Sequence, residues 1–254
     1  MRAPSAVIAV STCAYLDLPL AAALERIAAL DTAAEVRCKG RHGIDTVTQN
    51  RAVSACGLRC SVHAPEEIEI CSDEPRRRAA AIMAHERLLE ASAAAGAEVY
   101  VVHPDYSESA IVHRPQTRAA LQASFVDLHE LQRSYPVRIA VENMPGRRSS
   151  HFSAPDLELA GLGLALDVGH AQISGTLDAF LATCEVVHLH LHDNFGIGGP
   201  DVHLPLGCGR LAPRRVESLL EGCDGLCVLE HAHEAQVMES LDFLRELASR
   251  RFVA

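Results

Sequence analysis

Histidines and carboxylates stand at the ends of six successive apolar runs in this 254-residue chain. His63 closes Ser61-Val62-His63-Ala64-Pro65, and His103 closes Val101-Val102-His103-Pro104. Glu142 ends Ala140-Val141-Glu142-Asn143. Asp167 ends the next run, with His170 three residues on in Leu166-Asp167-Val168-Gly169-His170. His190 follows in His190-Leu191-His192-Asp193, Asp201 and His203 sit in the loop after it, and Glu230 ends the last run. Neutral imidazole nitrogens and carboxylate oxygens are the natural donors for Zn²⁺ or Mn²⁺. Any one of these histidines alone reads as an ordinary hydrogen-bonded residue, and Asp167 could equally cap a helix. What points to a metal centre is the same position recurring run after run. Four carboxylates in one pocket, Glu142, Asp167, Asp201 and Glu230, would repel one another without cations to hold them.

Those runs must be strands for the pattern to matter. Short β-like runs alternate with longer helical ones: strands near 6–10, 35–38, 58–62, 98–102, 137–141, 162–166, 186–191 and 226–229. Helices are expected near 19–30, 46–56, 75–96, 115–134, 177–181, 213–221 and 234–250. Pro19 suits a first helical turn, Ser72 or Asp73 could cap the helix that Pro75 enters, and Gly96 suits its stop. Residues 193–212, rich in Gly, Pro and Asp, read as a long loop. Eight strands in about 250 residues, mostly followed by helices, imply a single-domain (β/α)8 barrel over 1–254. An open doubly wound sheet would carry a glycine-rich turn after its first strand, where this chain has Ser11-Thr12-Cys13-Ala14-Tyr15. In a barrel the C-terminal strand ends converge on one mouth, so the distant histidines and carboxylates become neighbours.

Composition excludes several classes. A hydrophobic share of 48% with 22% charged residues is too apolar for a disordered chain. No apolar run approaches the roughly 18 residues of a membrane helix. The N-terminal apolar run is too short for a signal-peptide core, and a cytoplasmic location is expected. The nine cysteines are an odd number in a long chain, so reduced packing thiols are expected, with Cys208 the exception that could face the mouth. The formal net charge of −10 argues against a broad nucleic-acid surface. Lys39, Arg41 and His42 after the second strand, with His192, are candidates for holding substrate phosphate or hydroxyl groups. Arg147 and Arg148 are weaker ones.

In combination, His-Ala-Pro, His-Pro, Glu-Asn, Asp-x-x-His, His-Leu-x-Asp, Asp-x-His before Leu-Gly-x-Gly, and the final Glu resemble the xylose isomerase-like barrels. They resemble in particular the AP endonuclease branch that includes endonuclease IV. The resemblance implies that His63 and His103 bind one metal and that Glu142 bridges it to a second held by Asp167, His190 and Glu230. It places a third on His170, Asp201 and His203. It implies hydrolysis of a phosphodiester, with up to three Zn²⁺, or Mn²⁺, acidifying water and neutralising phosphate oxygens, and Glu230 able to orient that water. Three divalent cations would bring −10 to about −4.

The chain departs from that branch in three places. Glu66-Glu67-Ile68-Glu69 is acidic where a DNA backbone would approach. Leu206-Gly207-Cys208-Gly209 has Cys where the branch has Glu. There is no Trp and few aromatics to wedge into a base stack. Duplex DNA is therefore a poor expectation, and a small phosphorylated or sugar substrate a better one. The alternative within the superfamily is a sugar or sugar-phosphate isomerase or epimerase. Glu142, Asp167, His190 and Glu230 would then hold one Mn²⁺, Mg²⁺ or Co²⁺, two glutamates would shuttle a proton, and His170 would touch substrate. A barrel that binds metal without catalysis is a third possibility.

Overall fold

The computed structural model describes residues 6–104, 115–146 and 150–250. Arg147 and Arg148 lie outside them. Eight parallel strands, Val7–Ser11 (β1), Ala33–Arg37 (β2), Cys60–His63 (β3), Val99–Val102 (β4), Arg138–Glu142 (β5), Gly163–Asp167 (β6), Val186–Leu191 (β7) and Leu226–Leu229 (β8), close into a barrel in sequence order, β8 pairing back to β1. The helices are Leu20–Ala28 (α1), Val47–Ala55 (α2), Pro75–Ala95 (α3), Pro115–Gln132 (α4), Val168–Ser174 (α5), Leu177–Thr183 (α6), Pro213–Gly222 (α7) and Glu234–Arg250 (α8). This is a single-domain (β/α)8 barrel. No helix among the described residues is long and apolar enough to cross a membrane.

The strands are short apolar runs because both of their faces are covered. Outward residues such as Val10, Val36, Val62, Tyr100, Ile139 and Leu166 pack with Leu24, Ile27, Leu89, Phe125, Phe180 and Val237 of the surrounding helices in one core. Inward residues follow the opposite parity. Ala9, Ala33, Leu226 and Val228 make one interior cluster, and Val99, Val101, Ala140 and Ala165 another. Two residues further along each strand the lining turns polar: Ala33 gives way to Glu35 and Arg37, Ala140 to Glu142, Ala165 to Asp167, Val228 to Glu230. Parallel register keeps these side chains level, with Asp167 opposite His190 and Arg37 opposite His63.

Two local expectations are corrected. Glu74, not Ser72 or Asp73, occupies the residue before α3 and makes no side-chain cap; Ser72 Oγ instead accepts from the Glu74 N–H. A seven-residue helix, α5, follows β6 directly, ahead of the expected one. The Asp167 carboxylate caps it by accepting from His170 N at 2.6 Å, and Gly175 ends it in the left-handed region. All nine cysteines are free thiols.

Candidate metal centre

Glu142, Asp167, His190 and Glu230 present ligand atoms that lie within 4.8 Å of one another, each residue buried. His190 Nδ1 is the hub: it stands 3.3 Å from Glu230 Oε2, 3.5 Å from Glu142 Oε1 and 4.0 Å from Asp167 Oδ2. It is buried and without a hydrogen-bond partner. On its other oxygen Glu142 meets His63 Nε2 at 2.9 Å and His103 Nε2 at 3.0 Å. Burial pushes the Glu142 carboxyl up, but His103 and His190 outweigh it and hold it well below the usual range. Burial likewise opposes protonation of His190, and Glu35, Glu142 and Glu230 overcome it, raising that imidazole well above its ordinary value. Burial and the neighbouring Arg37 guanidinium both lower His63.

A second group adjoins the first. His170, His192, Asp201 and His203 also bring ligand atoms within 4.8 Å of one another. His170 Nε2 lies 3.2 Å from Asp201 Oδ2 and His203 Nε2 3.4 Å from Asp201 Oδ1. Asp167 joins the two groups, accepting from His192 Nε2 at 3.1 Å. Against the cost of burial, Asp167, Asp201 and Glu142 lift His170 to about 10, and Asp201 and Glu230 lift His203 to about 9. Asp201 falls far below the carboxylate range, its burial outweighed by hydrogen bonds from His170 and His203.

The local chain is shaped to allow this. Gly169 is required because a Cβ there would come within 2.0 Å of the His192 ring. His203 adopts a left-handed backbone, φ 45°, a costly conformation for a residue with a Cβ. The loop around it is tied to Asp193, whose carboxylate accepts from the N–H groups of Asn194, Gly207, Gly209 and Leu211 at 2.8–3.1 Å. Three imidazoles are aimed by backbone carbonyls: the Nδ1–H of His63 donates to Ala64 O, that of His170 to Asn143 O and that of His203 to Glu230 O, all at 2.8–2.9 Å. Nε2 of His170 and of His203 thereby faces Asp201, and that of His63 faces Glu142 and the Arg37 guanidinium.

Buried oxygens held ionised, facing imidazole nitrogens whose other nitrogen is committed elsewhere, form a donor set that fits divalent cations such as Zn²⁺ or Mn²⁺. The structure brings together all nine residues named for metal binding. His192, expected as a substrate contact, lies with the second donor group.

Other expected substrate contacts are dispersed. His42 is fully buried, its Nε2 3.0 Å from Leu18 O, so it fastens a turn rather than facing the mouth. Arg41 is exposed and reaches Asp17 O at 3.5 Å. Lys39 lines an 870 Å³ cavity with Asp45, Glu67 and Arg87, against α3. Cys208 is exposed, but it lines a groove with Asp242 and Phe243 of α8 that none of the candidate metal ligands lines.

Two buried residues of β2 were not anticipated. Arg37 is ion-paired with Glu66 and lies 3.7 Å from Glu230. Glu66 is therefore a neutralised acid rather than a free one repelling a phosphate. Glu35 is wholly buried beneath the centre, against His188 and His190. The available signal was parity: Glu35 and Arg37 share the inner face of a strand whose other residues are apolar.

The fold and these inward donors define a TIM barrel with a candidate metal centre at the face where such barrels carry their chemistry. Residues 44–247 match the xylose isomerase-like TIM barrel family, and the chain belongs to it. Among solved structures it is similar to a D-tagatose 3-epimerase-like protein, 25% identical, with 98% of this chain and 100% of that one covered and a TM-score of 0.84. It also resembles the IOLI protein with a bound zinc atom (18% identical, 96% and 98% covered, TM-score 0.74). Endonuclease IV from Thermus thermophilus is similar at 20% identity, 98% and 100% covered and TM-score 0.69. Sugar epimerases recur among the similar structures, so the AP endonuclease branch is not singled out.

Proposed function

We propose that this chain is a divalent-metal-dependent enzyme that hydrolyses a phosphoester or phosphodiester bond in a small substrate rather than in long duplex DNA. The observation that carries this is the second donor group, His170, His192, Asp201 and His203, sharing Asp167 with the first. A proton shuttle next to a carbonyl needs one four-residue site, whereas a phosphoryl centre spreads negative charge over several oxygens that adjoining sites can meet. Divalent cations such as Zn²⁺ or Mn²⁺, when bound, supply the positive charge that acidifies water and neutralises those oxygens. Glu142 and Asp167 hold the two groups in register. Glu230, ionised and facing His190, is placed to orient a water and accept its proton. Arg37 adds a fixed positive charge beside Glu230.

A second reading, a sugar or sugar-phosphate isomerase or epimerase, is favoured by the likeness to the D-tagatose 3-epimerase-like protein. It is also favoured by Glu142 and Glu230, which flank His190 Nδ1 at 3.5 and 3.3 Å, as two proton-shuttling carboxylates would. In that reading a single Mn²⁺, Mg²⁺ or Co²⁺ suffices and His170 touches substrate. Protein reloaded with Zn²⁺ or Mn²⁺ should release phenolate from a p-nitrophenyl phosphodiester and leave ketoses unchanged. Ketose epimerisation without phosphoester turnover would overturn the hydrolase reading in favour of the second. Bound metal with neither activity would overturn both.

A further inference from the structure

His190 is aimed differently from the other imidazoles of the centre. His63, His170 and His203 present Nε2 to Glu142 or Asp201 because each Nδ1–H is spent on a backbone carbonyl. His190 is reversed: Nδ1 faces Glu142, Asp167 and Glu230, and Nε2 points down the barrel. There it meets Glu35 from β2, 3.2 Å from Oε1 and 3.3 Å from Oε2. Oε2 also receives His188 Nε2 at 2.8 Å and Ser61 Oγ at 2.9 Å. Glu35, Ser61, His188 and His190 are all at 0% exposure.

We propose that Glu35 is the positioning residue of the metal centre: its carboxylate keeps the proton of His190 on Nε2 and so presents the Nδ1 lone pair to a cation held with Glu142, Asp167 and Glu230. A carboxylate has no proton to give, so the 3.3 Å bond between His190 Nε2 and Oε2 is Nε2–H donating to oxygen. Ser61 from the adjacent β3 and His188 from β7 across the barrel donate to the same carboxylate and stop it from turning. An acid behind a ligating imidazole fixes the ring and makes its lone pair more basic. The inference rests on the reading of His190 as a metal ligand, and it holds whichever reaction the centre catalyses.

Glu35→Gln tests the chemistry with little change in volume. With Ser61 and His188 claiming the amide oxygen at the Oε2 position, the new NH₂ group takes the Oε1 position, 3.2 Å from His190 Nε2. It favours a bare Nε2 and moves the proton to Nδ1, the wrong tautomer for binding. Zn²⁺ affinity, measured by competition with a chromophoric chelator, should fall about 10–100-fold. Glu35→Asp should recover most of it. Long-range ¹H–¹⁵N spectra of zinc-loaded wild type should show His190 protonated on Nε2 and not on Nδ1. If Glu35→Gln binds zinc as tightly as wild type, the positioning role is wrong while the metal centre stands. If that variant does not fold, the wild-type spectra decide alone, and a proton on Nδ1 of zinc-loaded His190 overturns the proposal. A wild-type protein that takes up no zinc overturns both this inference and the metal-dependent function above it.

Discussion

The two donor groups differ in what holds them. Glu142, Asp167, His190 and Glu230 come from the ends of four barrel strands or the residue just beyond, and their side chains are 0–7% exposed. Asp201 and His203 ride on the long loop after β7, with 28% and 27% of their side chains exposed. The strand-borne group is positioned by the pleat and the parallel register, the same forces that close the barrel. In the second group His170, on α5, and His192, just after β7, are buried as well, and only its loop-borne pair is positioned by one buried acid, Asp193, gathering backbone N–H groups, and by a strained residue, His203. Ligand geometry is thus built into the fold in one group and partly added to it by a loop in the other, where that part can vary without disturbing the barrel.

The largest expected effect comes from removing the residue on which the strand-borne group converges. Glu142→Ala leaves His63, His103 and His190 facing a void, and breaking a buried ion pair costs about 3–5 kcal/mol. Chemical denaturation of metal-free protein should show that loss, with zinc uptake sharply reduced. Asp193→Ala strikes the other group. It leaves the buried N–H groups of Asn194 and Leu211 without an acceptor, each worth about 1–3 kcal/mol, and frees the partly exposed ones of Gly207 and Gly209 to meet water. Hydrogen exchange should rise across 194–211 while the strands stay protected. Equal loss of protection in the strands would show that the two groups are not independent.

pH gives the mildest separation. His170 and His203 are raised to about 10 and about 9 in the folded metal-free protein. Their stabilisation is complete below the ordinary imidazole value of about 6.5 and disappears as pH climbs through those raised values. Glu142, Asp167 and Glu230 are lowered, each against its own burial and chiefly by His103, His170 and His190 respectively, so their contribution is present above about 4 and disappears as pH falls through their depressed values. Thermal melts of EDTA-treated protein should therefore weaken on the alkaline side from about pH 6.5 to 10. Zinc affinity should rise over the same interval, because a cation must displace those protons. A melt that strengthens through pH 9 would contradict the pairing of His170 and His203 with Asp201.

Much of this was legible in the sequence. Apolar runs of four to six residues each ended in a donor because strand periodicity and barrel closure put every such end at one mouth. All nine ligand candidates could therefore be named. What escaped notice depends on contacts between distant residues. Glu35 is one acid inside Ala33-Ala34-Glu35-Val36-Arg37, and its use became visible only when β7 placed His188 and His190 across the barrel. Glu66 looked like a free acid because its partner, Arg37, is 29 residues away. His42 shared a charged segment with Lys39 and Arg41 but turned inward, and burial lowers its imidazole against the bond to Leu18 O. Helix α5 is seven residues long and carries a glycine, so its existence rests on the Asp167 cap and on packing rather than on propensity.

The central claim, two adjoining donor groups that bind metal separately, is tested most directly by elemental analysis of wild type and His203→Ala purified without chelator. More than one ion per chain is expected in wild type and roughly one fewer in the variant, with the strand-borne ion retained. About one ion in each protein would contradict it.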